Sequence, residues 1–290
     1  MTTNSIRSLR TDYSSALKNF IASSRAFEVL GTVPIDHDAP SVHEPCKTLC
    51  VLDSSFNPPT LAHLKMSSSA LEESPGPSSR LLLLLATQNA DKPSQPALFE
   101  DRLVMMTLLA EDLRTYLRSR LAISGLDDGN VPHIDIGVTK KPYFVDKAAA
   151  IEESGVYTSS LEQVHLTGFD TLIRIFNPKY YPPEHTLRPL EPFLTRHRLR
   201  VRMRLGCEWG GRQEQQDYLS NLAHGGKENE GAKSEWANQI QLVEGTKEDE
   251  QAVSSTKARM AASHRPEGLD SLVPRNVRDY IISWGLYKDE

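Results

Sequence analysis

Short apolar runs alternate with amphipathic stretches through the first 170 residues. The runs at 48–52, 81–86, 133–138 and 164–167 have the length of buried strands rather than of helices. The segments that join the first three runs contain apolar residues at helical spacing and are long enough to be crossover connections. This alternation predicts an α/β fold with a parallel sheet.

The most regular amphipathic pattern lies in residues 99–121 and predicts a helix that packs on the sheet. Its apolar positions are Leu103, Met106, Leu109, Leu113 and Leu117. Near the end of the chain, VSSTKARMAAS opens with hydroxyl side chains typical of a helix start. The following VPRNVRDYIISWGLY predicts a final amphipathic helix.

The N-terminal stretch allows two interpretations. A helix there would present an apolar stripe to the main domain, formed by Leu9, Tyr13, Leu17, Phe20 and Ile21. The same stretch is basic and rich in serine, as transit peptides are. We favour the packed helix. We therefore divide the chain into an N-terminal helical extension, residues 1–45, and a main domain, residues 46–290.

Three polar or proline-rich segments interrupt the pattern. SPGPSS at 74–79 is interpreted as a loop. The polar stretch at 224–239 predicts a mobile or disordered insertion near 222–239. Residues 177–197 contain five prolines, and we favour a packed surface loop there over a lid.

Composition excludes several classes of protein. The 33 Lys and Arg against 38 Asp and Glu give a net charge of -5, which argues against a general nucleic-acid binder. Three cysteines without metal-ligand spacing indicate neither a disulfide framework nor a zinc site, and we predict no protein metal site. The longest apolar run, 81–86, is too short to cross a membrane. We expect a protein of the cytoplasm, the nucleus or both, with mitochondria less favoured; the oligomeric state is not indicated.

The stretch DSSFNPPTLAH, residues 53–63, connects the first predicted strand to a helix. Thr60 and His63 are three residues apart, so both side chains and the free N–H groups of the helix start can face one point beyond the strand. This predicts an anion site. A helix start contributes only about 0.3 to 1 kcal/mol to anion binding, so a polyphosphate needs further cations.

Candidate cations and hydrogen-bonding groups follow other predicted elements. Arg259 lies one turn inside the helix that begins with Ser255 and Thr256, and arginine can donate two parallel hydrogen bonds to phosphate. Taken alone, the hexapeptide SSTKAR at 254–259 is more typical of a capped surface helix with an exposed arginine. Gly168 and Asp170 follow the predicted strand at 164–167. An aspartate at this place can accept hydrogen bonds from sugar hydroxyls or simply cap a helix.

Two basic residues follow the second strand. Lys92 and Arg102 could contribute positive charge at the same edge of the sheet, and either could instead be a solvated surface residue. For Lys92 the two interpretations remain equally good.

Five of these pieces, taken in order, resemble nucleotidylyltransferases with a T/HxGH-type motif, and among them the nicotinamide mononucleotide adenylyltransferases. The pieces are SSFNPPTLAH, TQNADK with EDRLVMM, LTGFDTL, VSSTKAR and LVPRNVRDYIISWGLY. The resemblance implies a Rossmann-like parallel sheet with helices on both faces. It also implies an enzyme that joins ATP and a mononucleotide to give NAD and pyrophosphate, with Mg²⁺ and without a covalent intermediate.

By position in the motifs, the resemblance also implies roles for individual residues. His63 and Thr60 would hold the ATP phosphates, and Arg259 would grip the outer phosphates with Ser255 and Thr256. Gly168 and Asp170 would line the adenosine ribose. Lys92 would approach the mononucleotide or the phosphates. The loop around the phosphate site would be formed by Ser55, Phe56 and Asn57.

The chain departs from the family pattern at two places. Ser54 stands where such enzymes often have glycine, and DIGVTKKPYF replaces an aromatic-acid pair that helps to grip the nicotinamide ring. Tyr143, Phe144 or Trp209 could substitute for the aromatic residue. These departures favour a divergent, fungal-type branch. They also leave open another acceptor, or an ATP-binding or ATP-hydrolysing regulatory protein without transfer.

Overall fold

The computed structural model of the protein describes residues 2–34, 46–73, 78–88, 97–123, 131–204, 210–245 and 253–288. Within these ranges one sheet has seven strands: β1 (Phe27–Val33), β2 (Thr48–Asp53), β3 (Ser79–Ala86), β4 (Ile134–Thr139), β5 (Glu162–Gly168), β6 (Arg198–Arg202) and β7 (Ile240–Val243). The α-helices of the same ranges are α1 (Thr3–Ala22), α2 (Leu61–Glu73), α3 (Phe99–Ile123), α4 (Phe144–Glu153), α5 (Phe169–Ile175), α6 (Glu191–Leu194), α7 (Arg212–Ala223), α8 (Ser255–His264) and α9 (Arg275–Trp284).

The strand order is β1-β4-β3-β2-β5-β6-β7, and every neighbouring pair is parallel except β1 with β4. The chain order therefore reverses between β2 and β5. In doubly wound sheets, a reversal of this kind leaves a crevice at the carboxyl ends of the two strands, where ligands bind. The predicted Rossmann-like fold is confirmed, and its strand order places such a crevice beside the turns that follow β2 and β5.

Alternate residues of the central strands send their side chains into different cores, so both faces of the sheet are covered. On β3, Leu81, Leu83 and Leu85 pack with α1, α2, α3, α8 and α9. Leu82 and Leu84 pack on the opposite face with α4. A third core joins α5, α6 and α7 to β6 and β7. All eight residues of β3 are buried, as expected for a central parallel strand.

The N-terminal segment requires a correction. Helix α1 packs through buried Tyr13, Leu17 and Phe20, as its spacing predicts, while Ile21 stays largely exposed. Residues 27–33, however, form the edge strand β1 and not part of a helical extension over 1–45. A bulge between Val29 and Gly31 shifts the register with β4 and interrupts the alternation that marks a strand.

Strand β6 was not expected because its sequence, RLRVR, is basic. Arg200 is nevertheless only 4% exposed, since its guanidinium is paired with Glu73 of α2: Nη2 lies 2.5 Å from Oε1. Leu199 and Val201 point into the opposite core. The pairing with Glu73 allows an arginine to occupy a position that an apolar residue would normally take.

The segment at 224–239 is folded, which corrects the prediction of a disordered insertion. Trp236 is 3% exposed, and its ring centroid lies 6.4 Å from that of Phe176. Gly225 and Gly231 adopt positive φ angles of 83° and 94°, so they form turns in which most other residues would be strained. The polar composition therefore reflects tight turns around one buried tryptophan. The loop at 177–197 is packed as predicted, with Leu187, Leu190 and Phe193 buried.

Candidate active site

The turn between β2 and α2, residues 54–60, lies at the reversal of strand order. Phe56 adopts a positive φ of 45°, which is strained for a bulky side chain, and its ring is fully buried. The ring centroid lies 5.3 Å from that of His63. The strained conformation therefore turns the phenyl ring inward, where it packs against the imidazole.

His63 is held through both ring nitrogens. The backbone N–H of Thr60 donates to Nδ1 at 2.9 Å, and Oγ1 of Thr60 lies 2.8 Å from the same nitrogen. Nε2 lies 3.0 Å from Oγ of Ser54. A backbone N–H can only donate, so Nδ1 is an acceptor and the neutral ring has its hydrogen on Nε2. His63 therefore presents a donor on its Nε2 side.

Two N–H groups at the start of α2 are already bonded within the fold. The N–H of Thr60 is bonded to His63, and the N–H of Leu61 donates to the carbonyl of Leu272 at 2.9 Å. Thr60 is also only 1% exposed. Thr60 thus orients the imidazole, and the histidine side chain is one donor at this helix start that can meet an anion.

Helix α8 docks onto the backbone of this turn. Oγ of Ser255 donates to the carbonyl of Pro58 at 2.9 Å, and Nη1 of Arg259 donates to the carbonyl of Asn57 at the same distance. Nη2 of Arg259 lies 3.4 Å from Oγ1 of Thr256, which is exposed. The predicted approach of Arg259 to the turn before His63 is therefore present in the fold.

The capping residue of α8 is Ser254, whose Oγ accepts from the N–H of Lys257 at 3.2 Å. Ser255 is consequently free of capping and bonds to the turn instead. The phenol of Tyr287, near the end of the chain, donates to Oδ1 of buried Asn57 at 2.9 Å. Three distant segments are thus joined at Asn57 and Pro58.

The residues at the end of β5 form the other side of the crevice. Oδ1 of Asp170 lies 3.0 Å from Nε of Arg204, a half-exposed residue that follows β6. A Cβ atom on Gly168 would lie 2.6 Å from that oxygen and 3.2 Å from that nitrogen. Glycine at 168 is therefore what allows the Asp170 carboxylate to lie over the strand end.

The charge on Arg204, two residues after β6, affects the pKa of His63 in the turn after β2. Burial, together with the smaller effect of the positive charge of Arg204, lowers the pKa of His63 to about 4. His63 is therefore neutral at neutral pH, and positive charge at the crevice comes from arginine. Arg204 was not anticipated from the sequence, although its position directly after a strand at the same edge is the signal that points to it.

Two other predicted residues have different outcomes. Lys92 lies outside the described residues, as does Trp209. Arg102 is fully buried and not solvated; its Nε donates to the carbonyl of Ala97 at 2.9 Å. Burial lowers the pKa of Arg102, and the nearby Arg259 lowers it further. Ser55 is exposed, whereas its neighbours Phe56 and Asn57 are buried.

Among the described residues, no three or more His, Cys, Asp or Glu side chains are grouped so that they could hold a metal ion. In the same part of the chain, no helix combines the length and apolar character that a membrane crossing requires.

Comparison with known proteins identifies the family. The chain is 34% identical over 236 residues to a Schizosaccharomyces pombe protein named "Putative nicotinamide mononucleotide adenylyltransferase", covering 81% of this chain and 84% of that protein. This chain belongs to the nicotinamide mononucleotide adenylyltransferase-like nucleotidylyltransferases. It is therefore an enzyme of the nucleotidyltransferase type. No protein-family model matches the chain.

Solved structures agree on the fold of this adenylyltransferase-like chain. The nicotinic acid mononucleotide adenylyltransferase of Plasmodium falciparum, complexed with NaAD, superposes with a TM-score of 0.54 at 15% identity, covering 84% of this chain and 98% of that one. The same enzyme complexed with APC gives a TM-score of 0.52 at 14% identity, with the same coverage. At these identities the likeness concerns the fold alone.

Proposed function

We propose that this nucleotidylyltransferase transfers the adenylyl group of ATP to nicotinamide mononucleotide, giving NAD and pyrophosphate. The 34% identity to a relative with that printed name supports the proposal. The observation in the fold that carries it is that Arg259 is bonded to the turn that holds His63, while Arg204 and Asp170 pair at the carboxyl ends of the neighbouring strands. These contacts lie at the reversal of strand order, where a nucleotide would bind.

In this reaction, a phosphate oxygen of the mononucleotide forms a bond to the α-phosphorus of ATP. The bond from that phosphorus to the oxygen shared with the β-phosphate breaks, and pyrophosphate leaves with the electron pair. Nε2–H of His63 would donate to a phosphate oxygen on which charge develops. Arg259 and Arg204 would neutralise charge, and Asp170 would accept from a ribose hydroxyl. Ser255 would act through the turn, while exposed Thr256 and Ser55 would line its rim.

Mg²⁺ is part of the proposal. This ion keeps several waters and binds nucleotides mainly through phosphate oxygens, so it needs few protein ligands. The carboxylates of Asp53, the last residue of β2, and of Asp170, two residues after β5, already lie against cations: Oδ2 of Asp53 is 2.5 Å from Nζ of Lys147, and Oδ1 of Asp170 is 3.0 Å from Nε of Arg204. The triphosphate would therefore supply most of the oxygen ligands.

A second candidate is an ATP-binding or ATP-hydrolysing regulatory protein without transfer. One observation favours it, and it concerns the residues expected to bind the nicotinamide ring of the mononucleotide. Phe144, a proposed substitute for the missing aromatic residue, packs edge-on against His165 and Phe193, with centroids 4.9 and 4.8 Å away. The Phe144 ring therefore packs in the core and is not available to stack on the nicotinamide ring. Tyr143 then remains as the described aromatic residue of that stretch that could stack on a base.

Product analysis separates these candidates. Purified protein would be incubated with ATP, Mg²⁺ and, separately, nicotinamide mononucleotide, nicotinic acid mononucleotide or phosphopantetheine, and the products resolved by chromatography. Transfer predicts NAD and pyrophosphate that depend on the mononucleotide, with the highest kcat/KM for nicotinamide mononucleotide. Release of inorganic phosphate without any acceptor dependence would instead establish hydrolysis.

His63→Ala tests the site. We expect kcat to fall about 100-fold or more, because one preorganised donor to developing charge is typically worth that much. His224→Ala is the matched control, since His224 is exposed at the end of α7. Equal loss in both variants would contradict the assignment.

We further propose that the protein acts in the cytoplasm, the nucleus or both. The packing of α1 and the pairing of β1 with β4 support this, because they favour the packed-helix interpretation of the N-terminal stretch over the transit-peptide interpretation. Imaging of a C-terminal fluorescent fusion tests it. A mitochondrial pattern would refute it.

A further inference from the structure

Ser54 is in direct contact with the imidazole of His63. Its Oγ lies 3.0 Å from Nε2, and its own N–H is fixed to the carbonyl of Leu84 on β3 at 3.2 Å. The hydroxyl therefore projects from an anchored backbone at the end of β2. Among the described residues, it is the hydrogen-bonding partner of Nε2.

The direction of this hydrogen bond decides its chemistry. A serine 3.0 Å from a histidine nitrogen could be a nucleophile activated by a base. That role requires Nε2 to be unprotonated. The N–H of Thr60, which donates to Nδ1, puts the hydrogen of the neutral ring on Nε2 instead. Nε2–H therefore donates to Ser54, and the hydroxyl oxygen is an acceptor.

We propose that Ser54 is a positioning residue that aims Nε2–H of His63 into the crevice until a phosphate oxygen replaces the serine as its acceptor. Thr60 and Ser54 then hold the ring from opposite sides, so the donor is oriented before the ligand arrives. Orientation of this kind lowers the reorganisation needed in the transition state. The ligand class is a nucleoside triphosphate, and in this respect the inference rests on the proposed function.

Nuclear magnetic resonance of the full chain labelled with ¹⁵N-histidine tests the contact independently of turnover. The signals of His63 are assigned by their loss in His63→Gln. We expect Nδ1 to show no attached proton and Nε2 to show one. In Ser54→Ala, the Nε2 proton should exchange with water about three- to tenfold faster, because a hydrogen bond of ordinary strength is lost. A proton on Nδ1, or unchanged exchange in Ser54→Ala, would overturn the proposal.

Addition of ATP with Mg²⁺ tests the exchange of acceptors. The Nε2–H resonance of the unmodified protein should shift on binding, and it should reach a similar position in Ser54→Ala once phosphate is the acceptor in both. A resonance that stays unmoved while other signals report ATP binding would refute replacement of the serine by phosphate.

Kinetics distinguish the hydroxyl from the backbone. Ser54→Ala and Ser54→Gly both remove the hydroxyl, but only glycine also loosens the turn. We expect kcat to fall about three- to tenfold in both, with less than about twofold change in KM for ATP. Ser119→Ala, an exposed serine on α3, is the control and should match the unmodified protein. A fall in glycine alone would assign the effect to the backbone and end the proposal.

The two proposals can fail separately. If no dinucleotide forms with any acceptor, the proposed transfer fails, while the proton on Nε2 and its exchange rate still report on Ser54. If NAD forms and Ser54→Ala keeps the full kcat, the positioning role alone is refuted.

Discussion

The neutral imidazole of His63 gives a measurable dependence of stability on pH. Burial lowers the pKa of His63 from 6.5 to about 4 in the folded protein. Between these two pH values the unfolded chain binds a proton that the folded chain does not. The free energy of unfolding must therefore fall as the pH is lowered through this window, and it is fully retained above the unfolded pKa.

The magnitude follows from the two pKa values. Between pH 7 and pH 5, one histidine shifted in this way costs about 2 kcal/mol of unfolding free energy. His165 is 2% exposed, and burial lowers its pKa to about 3, so it adds a similar cost over the same interval. The two residues together predict a loss of about 4 kcal/mol, a large part of a typical domain stability.

Urea unfolding followed by tryptophan fluorescence at pH 7 and pH 5 measures this loss. His63→Gln cannot take up the proton, so its loss should be smaller than that of the unmodified protein by about 2 kcal/mol. The exposed His224→Gln is the control and should retain the full loss. If His63→Gln lost as much stability as the unmodified protein, His63 would not be held neutral, and the assignment of its hydrogen to Nε2 would fall with it.

Three further variants test the crevice. Arg259→Gln removes the guanidinium beside the carbonyl of Asn57, and steady-state assays should show KM for ATP raised about tenfold, as expected for loss of a charged hydrogen bond; an unchanged KM would contradict a phosphate role. Gly168→Ala places a methyl group 2.6 Å from Oδ1 of Asp170, so titration calorimetry should show weaker ATP binding with little change in melting temperature, and unaltered affinity would refute the ribose contact. Tyr287→Phe removes the hydrogen bond from the phenol to Oδ1 of Asn57, and urea unfolding should show a loss of about 0.5 to 1.5 kcal/mol, whereas no loss would mean that the C-terminal contact is unimportant.

The sequence predicts best where local pattern and tertiary structure agree. β3 is a continuous apolar run and α3 has a regular helical stripe, and both were found where expected. β6 fails this test because Arg200 is buried by an ion pair with Glu73, 127 residues earlier. No local pattern records such a partner.

The same distinction applies to the crevice. Thr60, His63 and Arg259 could be chosen from their places at helix starts. The contact between Ser54 and His63 and the approach of Arg204 depend on side-chain direction and on the neighbouring strand. The spacing also does not show that the N–H and hydroxyl of Thr60 bond the imidazole of His63. The spacing of residues in the sequence predicts which side chains lie near one another. The hydrogen bonds that determine their chemical roles depend on the tertiary structure.

Strand β1 covers the edge of β4 and so prevents self-association of the protein through that edge. β4 is buried along its whole length, and β1 occupies its outer hydrogen-bonding side from Ile134 to Thr139. A chain without residues 2–34 would present this apolar strand as an open template for another molecule. Shortened versions of the protein should therefore self-associate, and tags intended for purification are better attached at the other end.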